Sequence, residues 1–360
     1  GQSSLKPIVL FLVNVDWFLV SHRLNLVVEL ISSGYEVHVG CQTTHLASKK
    51  LVNAGAQVHE LSIDRGGGGL LSNGVFIGQA AILIKRLRPS LIHLITIKPV
   101  IFGGLLCRLL RVPAVVAAVP GLGFVFIGTY WWLYPLRKAI QLLYRVVFNH
   151  SNIRVIFQNS EDRRILTEVT QIKSDVIRMI PGSGIDLEAY SPSPPPEGNL
   201  VMFVGRLLRD KGIREFIEAA SIVEKKSSGT RFVVVGDLDP GNPSSIAKCD
   251  LDRAVKDGII EWWGFCHEMH RIISQSSMVV LPSYREGFPK VLIEAAACAR
   301  VAVTTDVAGC RDAVVPGTTG LVVQARSAEA LAQGILRLTE DRRLRFEMSY
   351  ASRVHAERAF

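Results

Sequence analysis

Apolar runs alternate with helical patterns along the first half of the chain. Runs such as "KPIVLFLV" at 6–13 have the length and composition of buried strands. Stretches such as "SHRLNLVVELISSG" at 21–34 repeat apolar residues at helical spacing and end at glycine or proline. This alternation predicts a mostly parallel, doubly wound α/β sheet. The predicted strands are 6–13, 35–41, 56–63, 90–96, 113–119 and 154–160, and the predicted helices are 21–34, 73–89 and one from Glu161 onward.

The segment "YSPSPPPEGN" at 190–199 interrupts the pattern with prolines and serines that fit neither a helix nor a strand. We expect a domain at 1–189, a linker at 190–199 and a second domain at 200–360, both Rossmann-like, with ligands bound in the cleft between them. In the second domain the predicted strands are 200–205, 231–237, 259–265, 278–283 and 301–306, and the predicted helices are 212–226, 269–275 and 289–299.

Composition agrees with a two-domain globular protein. The chain has 360 residues, of which 48% are hydrophobic and 20% charged. The net charge of +9 favours an anionic partner: nucleic acid, a phosphorylated substrate or an anionic lipid surface. Its six cysteines are scattered without metal-binding or redox spacing, which predicts reduced thiols. No apolar run reaches the roughly 20 residues that a membrane-spanning helix needs.

Two short motifs place charges where helices begin. In "GRLLRDKG" at 205–212, Arg206 and Lys211 follow a strand and precede a helix, a setting that suits a diphosphate. A solvated basic turn is the alternative. In "SYREGFPKVLIEAAA" at 283–297, Glu286 and Glu294 are separated by seven residues. They begin at the carboxyl end of a strand, where open α/β sheets bind ligands, although a helix-end carboxylate and a surface residue would also fit.

These motifs, with "TTDVAGCRDAVVPGTTGLVV" at 304–323, resemble the retaining glycosyltransferases of family 4 over nearly the whole chain. The resemblance implies the GT-B architecture, in which two Rossmann-like domains face each other across a deep cleft. It implies transfer of a sugar from a nucleotide-diphosphate donor, with the anomeric configuration kept. No metal cofactor is expected. The Asp237–Asp239 pair in "GDLDPG" invites a metal-binding interpretation, but metal-dependent transferases carry their Asp-x-Asp motif on a different fold.

The same resemblance assigns roles to residues of the second domain. Glu286 would hold hydroxyls of the donor sugar near the reacting carbon, and Glu294 would bind the ribose. Arg206 and Lys211 would neutralise the diphosphate as its bond to the sugar breaks. Glu286, Arg206 and Lys211 are therefore the predicted catalytic residues. The predicted donor-binding residues are Gly205, Arg206, Lys211, Phe265, Glu286, Gly287, Phe288, Pro289 and Glu294, with Gly287 allowing close backbone approach and Pro289 fitting the first helical turn.

The first domain resembles a narrower branch, the transferases that build bacterial surface polysaccharides on lipid-diphosphate carriers. The matching stretches include "VDWFLVSHRLNL", "LITIKPVIFGGLLCRLL" and "IPGSGID". They imply a UDP-sugar donor, with an N-acetylhexosamine or related sugar, and a polyprenyl-diphosphate-linked glycan acceptor. Many family members carry a histidine after the strand at 113–119, where this chain has "VPGLGF". The predicted acceptor-binding residues are Asp16, His22, Arg23, Lys98, Gly121 and Gly123; a helix cap for Asp16 and a buried, hydrogen-bonded role for His22 are alternatives.

The stretch "GTYWWLYPLRKAIQLLYRVVF" at 128–148 places aromatic residues beside Arg137, Lys138 and Arg145 at helical spacing. It could contact an anionic membrane surface or belong to the core. With a lipid-linked acceptor, we expect a cytoplasmic protein that is peripheral on the inner face of the cell membrane. Family members usually finish with a helix that crosses back to the first domain, and the last residues before Phe360 could pack there.

Two other functions fit parts of the pattern. A GT-B-type sugar-nucleotide epimerase would share the architecture but need no acceptor site. A non-catalytic nucleotide-binding scaffold would need no catalytic carboxylate, which the complete set of Arg206, Lys211, Glu286 and Glu294 argues against. No nucleic-acid-binding module is recognisable, so nucleic acid is not an expected partner.

Overall fold

The chain forms two compact units, Gly1–Ile180 and Pro181–Phe360, each organised around one parallel sheet. The computed structural model describes residues 6–63, 70–121, 134–227 and 229–360. Every strand pair in both sheets is parallel, and helices connect the strands. The predicted α/β class with two doubly wound sheets is therefore confirmed.

The sheet of the first unit has seven strands in the order β3-β2-β1-β4-β5-β6-β7. Its central strands are mostly apolar because helices or loops cover both faces, as expected for a parallel sheet; His93 on β4 is a buried exception. The strands are β1 Ile8–Val15, β2 Glu36–Gln42, β3 Gln57–Glu60, β4 Leu91–Ile95, β5 Ala114–Val119, β6 Ile153–Phe157 and β7 Ile177–Met179.

Two predicted helices of the first unit, 73–89 and the one from Glu161 onward, lie within three residues of the observed positions, but the helices His45–Asn53 and Gly104–Leu109 were not predicted. The predicted helix at 21–34 begins at Asp16 instead, because β1 leads directly into the apolar run that follows Asp16 without a glycine or proline to delay it. A π-helical turn, Pro99–Gly103, precedes α4 and was not predicted. The helices are α1 Asp16–Ser32, α2 His45–Asn53, α3 Leu70–Leu87, α4 Gly104–Leu109, α5 Tyr134–Phe148 and α6 Ser160–Thr170.

The sheet of the second unit has six strands in the order β10-β9-β8-β11-β12-β13. The chain runs from β8 toward β10 on one side and from β11 toward β13 on the other, so the direction of winding reverses between β8 and β11. The carboxyl ends at such a reversal form the usual ligand site of doubly wound sheets. The strands are β8 Asn199–Val204, β9 Thr230–Val235, β10 Glu261–Gly264, β11 Met278–Leu281, β12 Val301–Thr305 and β13 Gly320–Val323.

Helices of the second unit bury apolar faces against this sheet. The final helix packs on α10 and α12 of the same unit, and the ring of Phe360 lies 5.5 Å from the ring of Phe288. The helices are α7 Ile213–Lys226, α8 Lys248–Lys256, α9 Met269–Ser274, α10 Lys290–Ala297, α11 Cys310–Ala313, α12 Ala328–Glu340 and α13 Arg342–Ala359.

The segment predicted as a linker, 190–199, is bound to the second unit by buried arginine side chains. The Arg300 guanidinium, almost fully buried, donates to the Ser193 hydroxyl at 2.8 Å and to the Pro194 carbonyl at 3.2 Å. Arg353 donates to the Tyr190 carbonyl at 2.7 Å. The compact units therefore meet at Ile180, earlier than the predicted linker. The assignment of acceptor binding to one domain and donor binding to the other stays a prediction.

No helix in the described part of the chain is long and apolar enough to cross a membrane.

Candidate active site

The two predicted motifs of the second unit meet at the reversal of its sheet. Arg206 follows β8, and the stretch that contains Glu286 follows β11, the neighbouring strand. Lys211 ends a 3-10 turn, Arg209–Lys211, directly before α7. Carboxyl ends of adjacent parallel strands lie side by side, so the fold alone brings these motifs to one edge.

Lys211 and Glu286 form an ion pair at this edge. The Lys211 Nζ donates to Glu286 Oε1 at 2.5 Å, and both side chains are largely withdrawn from solvent. The Ser283 hydroxyl donates to the same Oε1 at 2.6 Å. The carboxylate is therefore held by one cationic donor and one neutral donor, which fixes its orientation.

The backbone around Glu286 is supported by the loop that follows β12. The Glu286 amide donates to the Ala308 carbonyl at 3.1 Å. Gly309 has a φ of +79°, and a Cβ there would lie 2.5 Å from the Glu286 carbonyl oxygen. Only glycine allows the two loops to approach this closely. The site is thus assembled from three consecutive strands of the sheet, β8, β11 and β12.

Arg206 has a partner of its own. Its Nη1 donates to Asp239 Oδ2 at 2.9 Å, and the guanidinium is about half exposed. The loops that carry this pair touch at Gly205 and Gly236, where a Cβ on Gly236 would lie 1.9 Å from the Gly205 carbonyl oxygen. A diphosphate that binds Arg206 would therefore have to share it with Asp239.

Glu294 lies on α10 and is almost fully buried. Its Oε1 accepts a hydrogen bond from the Tyr190 hydroxyl at 2.9 Å, and the Lys290 ammonium lies 3.5 Å from the same oxygen. Burial raises the pKa of the Glu294 carboxyl, which the Lys290 charge and the Tyr190 hydrogen bond offset only in part. The alternative of an exposed surface residue is therefore wrong.

The remaining predicted donor-binding residues differ in how far their side chains are exposed to solvent. The ring of Phe265 is 62% exposed and lies 4.8 Å from the His267 ring, edge to face. Phe288 packs its ring into the core, so its ring is withdrawn from any ligand. Pro289 is buried and directly precedes α10, which begins at Lys290; the predicted place in the first helical turn is off by one residue. Gly287 lies between Glu286 and Phe288 and is partly buried.

Asp16 holds together two loops of the first unit. It is 0% exposed, and its carboxylate accepts from the Thr44 amide at 2.6 Å, the Thr44 hydroxyl at 2.8 Å and the Ser48 hydroxyl at 2.6 Å. It also accepts from the Trp17 amide at 2.7 Å. These contacts join the start of α1 to the start of α2. They favour the alternative of a structural cap, and the role of Asp16 in acceptor binding stays a prediction.

Arg23 is the most unusual predicted residue of the first unit. Most of its side chain is buried, burial lowers its pKa, and within the described ranges its Nε has no hydrogen-bond acceptor. Nearby, His93 on β4 stacks on Phe11, and its Nε2 also lacks a partner there. Burial and the Arg23 charge lower the pKa of His93 to about 3, so the ring is neutral. A largely buried cation whose Nε lacks an acceptor among the described residues could accommodate an anion.

The other predicted acceptor residues lie on this unit as follows. His22, on α1, stacks on Phe18 and its Nδ1 lies 3.1 Å from the Phe18 carbonyl, as a core histidine would. Lys98 follows β4 and begins the π-helical turn. Gly121 follows β5. Gly123, like Trp131 and Trp132 of the amphipathic stretch, lies outside the described residues.

Three residues of these sites escaped the sequence reasoning: Ser283, Tyr190 and His93. Ser283 stood in the quoted motif, three residues before Glu286, and that spacing was the available signal. Tyr190 contacts Glu294 across 104 residues of chain, which no local pattern indicates. His93 lies in an otherwise apolar strand, and no local pattern sets it apart from the core residues around it. Among the described residues, no group of three histidine, cysteine or carboxylate side chains is arranged to hold a metal ion.

Two family models match the chain, one in each unit. "Glycosyl transferase 4-like" matches residues 8–160, and "Glycosyl transferases group 1" matches residues 198–341. The second match contains Arg206, Lys211, Glu286 and Glu294.

Relatives with curated names include two bacterial transferases. The chain is 29% identical, over 74% of its length and 72% of the relative's, to an N,N'-diacetylbacillosaminyl-diphospho-undecaprenol alpha-1,3-N-acetylgalactosaminyltransferase of Campylobacter jejuni. It is 26% identical, over 72% of its length and 69% of the relative's, to a UDP-Gal:alpha-D-GlcNAc-diphosphoundecaprenol alpha-1,3-galactosyltransferase of Escherichia coli.

The fold is shared with solved structures. HepE of Anabaena, solved with UDP and glucose, superposes with a TM-score of 0.78 at 17% identity, covering 98% of this chain and 95% of that one. This likeness confirms the predicted GT-B fold. The two family models together span most of both units. With this likeness of fold, they show that the chain is an enzyme of the GT-B glycosyltransferases, of the group 1 and 4-like type, as the sequence motifs predicted.

Proposed function

We propose that this enzyme transfers a sugar from a UDP-sugar to a polyprenyl-diphosphate-linked saccharide, with the anomeric configuration retained and without a metal ion. The observation that carries the proposal is the Glu286 carboxylate held by Lys211 and Ser283 at the reversal of the second sheet. The names of the relatives in Campylobacter jejuni and Escherichia coli support the lipid-linked acceptor, and the latter name also supports a UDP donor.

On the donor side, the cations face the diphosphate and the carboxylates face the sugar and the ribose. Lys211 and Arg206 are the cations placed to neutralise the diphosphate, and Lys211 also forms an ion pair with Glu286. Glu286 accepts hydrogen bonds from the sugar hydroxyls. Glu294, which is buried behind the start of α10, accepts from the ribose hydroxyls. The backbone of 287–289 lies between the two carboxylates and lines the path from the sugar to the ribose.

The chemistry that suits these groups is a front-face transfer. The bond between the anomeric carbon and the leaving phosphate oxygen breaks, and Lys211 and Arg206 stabilise the charge that develops on the diphosphate. The acceptor hydroxyl oxygen bonds to the anomeric carbon from the same face. Its proton passes to the departing phosphate oxygen, so the configuration is kept without a covalent enzyme intermediate.

On the acceptor side, Arg23 is the residue whose surroundings most favour an anion. Its guanidinium is largely buried and its Nε has no acceptor within the described residues, so a phosphate of the acceptor would supply both an acceptor and a negative charge. Lys98, at the carboxyl end of the neighbouring strand β4, would add a second positive charge. His93, neutral and next to Arg23, would offer a hydrogen bond. Gly121 and Gly123 would let the backbone approach the acceptor closely.

The donor sugar is proposed as an N-acetylhexosamine or a related hexose. The Campylobacter relative is named for N-acetylgalactosamine transfer and the Escherichia relative for galactose transfer, so both sugars belong in any test. Retention of configuration and independence of metal follow from the family resemblance.

Helix α5 supports a peripheral location on the inner face of the cell membrane. Tyr134, Leu136 and Leu142 are exposed on this helix, and Lys138 lies 5.5 Å from the Tyr134 ring. Exposed apolar side chains beside basic ones suit an anionic lipid surface, where the lipid-linked acceptor resides. The site would thereby be held close to its second substrate.

The role of Glu286 is tested by Glu286→Gln, which keeps the size of the side chain and removes its charge. We expect the rate of UDP release from UDP-N-acetylgalactosamine or UDP-galactose, with a polyprenyl-diphosphate-linked saccharide present, to fall by about a hundredfold or more. The exposed Glu218 on α7, changed to Gln, is the matched control and should keep the wild-type rate. A wild-type rate in Glu286→Gln would contradict the assignment. Interconversion of UDP-sugars without any acceptor would indicate an epimerase.

Glu294→Gln should raise the stability of the protein and at the same time weaken its binding of UDP. Because burial raises the pKa of Glu294 in the folded state, the folded protein holds this proton more tightly than the unfolded chain does, and stability falls as pH rises through the two pKa values. The variant escapes this cost, so we expect its melting temperature at about pH 7.5 to exceed that of the wild type by about 2 °C. The difference should vanish in acid. UDP affinity, measured by calorimetry, should fall about tenfold; unchanged affinity would exclude the ribose role.

Membrane contact through α5 is tested by the double variant Leu136→Ser, Leu142→Ser. We expect it to lose most of its co-sedimentation with phosphatidylglycerol vesicles, because 48% and 61% exposed leucines would no longer bury in the lipid. Tyr350→Ser, which changes a 74% exposed residue of the second unit, should sediment like the wild type. Equal sedimentation of the double variant and the wild type would remove α5 from the contact.

A further inference from the structure

The contacts of the Glu286 carboxylate are uneven. Both of its donors from the described residues, Lys211 and Ser283, meet Oε1, at 2.5 Å and 2.6 Å. A carboxylate has room for acceptor bonds on both oxygens, so Oε2 is left for a ligand. The contacts of Oε1 therefore set the orientation of Oε2, the oxygen that would meet a sugar hydroxyl.

The two donors are not equivalent once a nucleotide binds. Lys211 is the cation proposed above to neutralise the donor diphosphate, and an ammonium on a flexible stem can turn toward it. Its hold on Glu286 would then weaken at the moment when the sugar must be oriented. Ser283 is neutral, has no attraction to phosphate charge of that strength, and is fully buried.

Ser283 is itself fixed from the neighbouring strand. Its carbonyl accepts the Thr305 hydroxyl at 2.5 Å, and Thr305 ends β12 with only 1% of its surface exposed. The preceding Pro282 is pressed against Gly212, where a Cβ would lie 2.0 Å from the Pro282 carbonyl oxygen. The backbone at Ser283 is thus held between β12 on one side and the start of α7 on the other, which places its hydroxyl beside Glu286.

We propose that Ser283 is a positioning residue of the transfer reaction: it holds Glu286 by Oε1 so that Oε2 stays directed at the donor sugar when Lys211 turns to the diphosphate. Thr305 supports Ser283 in this role through the Ser283 carbonyl. The inference rests on the proposed role of Glu286. It predicts that Ser283 affects turnover far more than it affects nucleotide affinity.

Ser283→Ala tests this division. We expect kcat for UDP release from UDP-N-acetylgalactosamine or UDP-galactose, with the lipid-linked acceptor present, to fall about tenfold, since one hydrogen bond to a charged group is lost. The Kd of UDP, measured by calorimetry, should stay within about twofold of the wild type, because the hydroxyl does not meet the nucleotide. Ser221→Ala, on α7, removes a hydroxyl that donates to the Ile217 carbonyl of its own helix and serves as the control.

Thr305→Val is the second variant, since it keeps the shape of the side chain and removes only its hydroxyl. It should lower kcat in the same direction by a smaller factor and leave the UDP Kd unchanged, even if Ser283→Ala does not fold. A wild-type kcat in either folded variant would overturn the inference, as would a parallel loss of UDP affinity, which marks a merely structural serine. An inactive wild type, or an active Glu286→Gln, would instead overturn the proposed function.

Discussion

The ion pair between Lys211 and Glu286 joins two strands of the second sheet at the edge where a ligand can reach them. Each residue reaches this edge because of the strand before it: Lys211 follows β8 after a short turn, and Glu286 follows β11 after a short loop. Because the winding reverses between these strands, their connections diverge and leave the edge open. The pair therefore lies at the reversal of the sheet, the position where we propose that the nucleotide sugar binds.

Buried and partly buried charges recur elsewhere in the molecule. Arg300 and Arg353 donate to carbonyl and hydroxyl oxygens of the segment from Tyr190 to Pro194, which fastens that segment to the second unit. Burial shifts the pKa of Glu294, of Arg23 and of Arg300 toward the neutral form of each side chain. We propose that two different substrates compensate two of these buried groups: the ribose of the donor at Glu294, in the second unit, and a phosphate of the acceptor at Arg23, in the first.

Much of the fold could be predicted because buried parallel strands are short, apolar and separated by helices that end at glycine or proline. The placement of Glu286 and Glu294 at one edge of the sheet could also be predicted, because the strand that ends before Glu286 and the helix that contains Glu294 are both visible in the local sequence. The short polar helix α2 was missed because "HLASKKLVN" lacks a continuous apolar face. Tyr190 was assigned to a linker on composition, whereas its contact with Glu294 depends on residues distant in the chain. The Nε of Arg23 and the Nε2 of His93, which have no partner among the described residues, depend on packing that no single stretch encodes.

The central claim is that the second unit binds a uridine diphosphate through its own side chains. Calorimetric titration of the protein with UDP, GDP and ADP, in the presence of EDTA, tests it most directly. The account predicts that UDP binds and that GDP and ADP do not compete at similar concentrations, with the same UDP affinity when magnesium replaces EDTA. Binding that appears only with magnesium, a preference for ADP or GDP, or no binding of any nucleotide would contradict it.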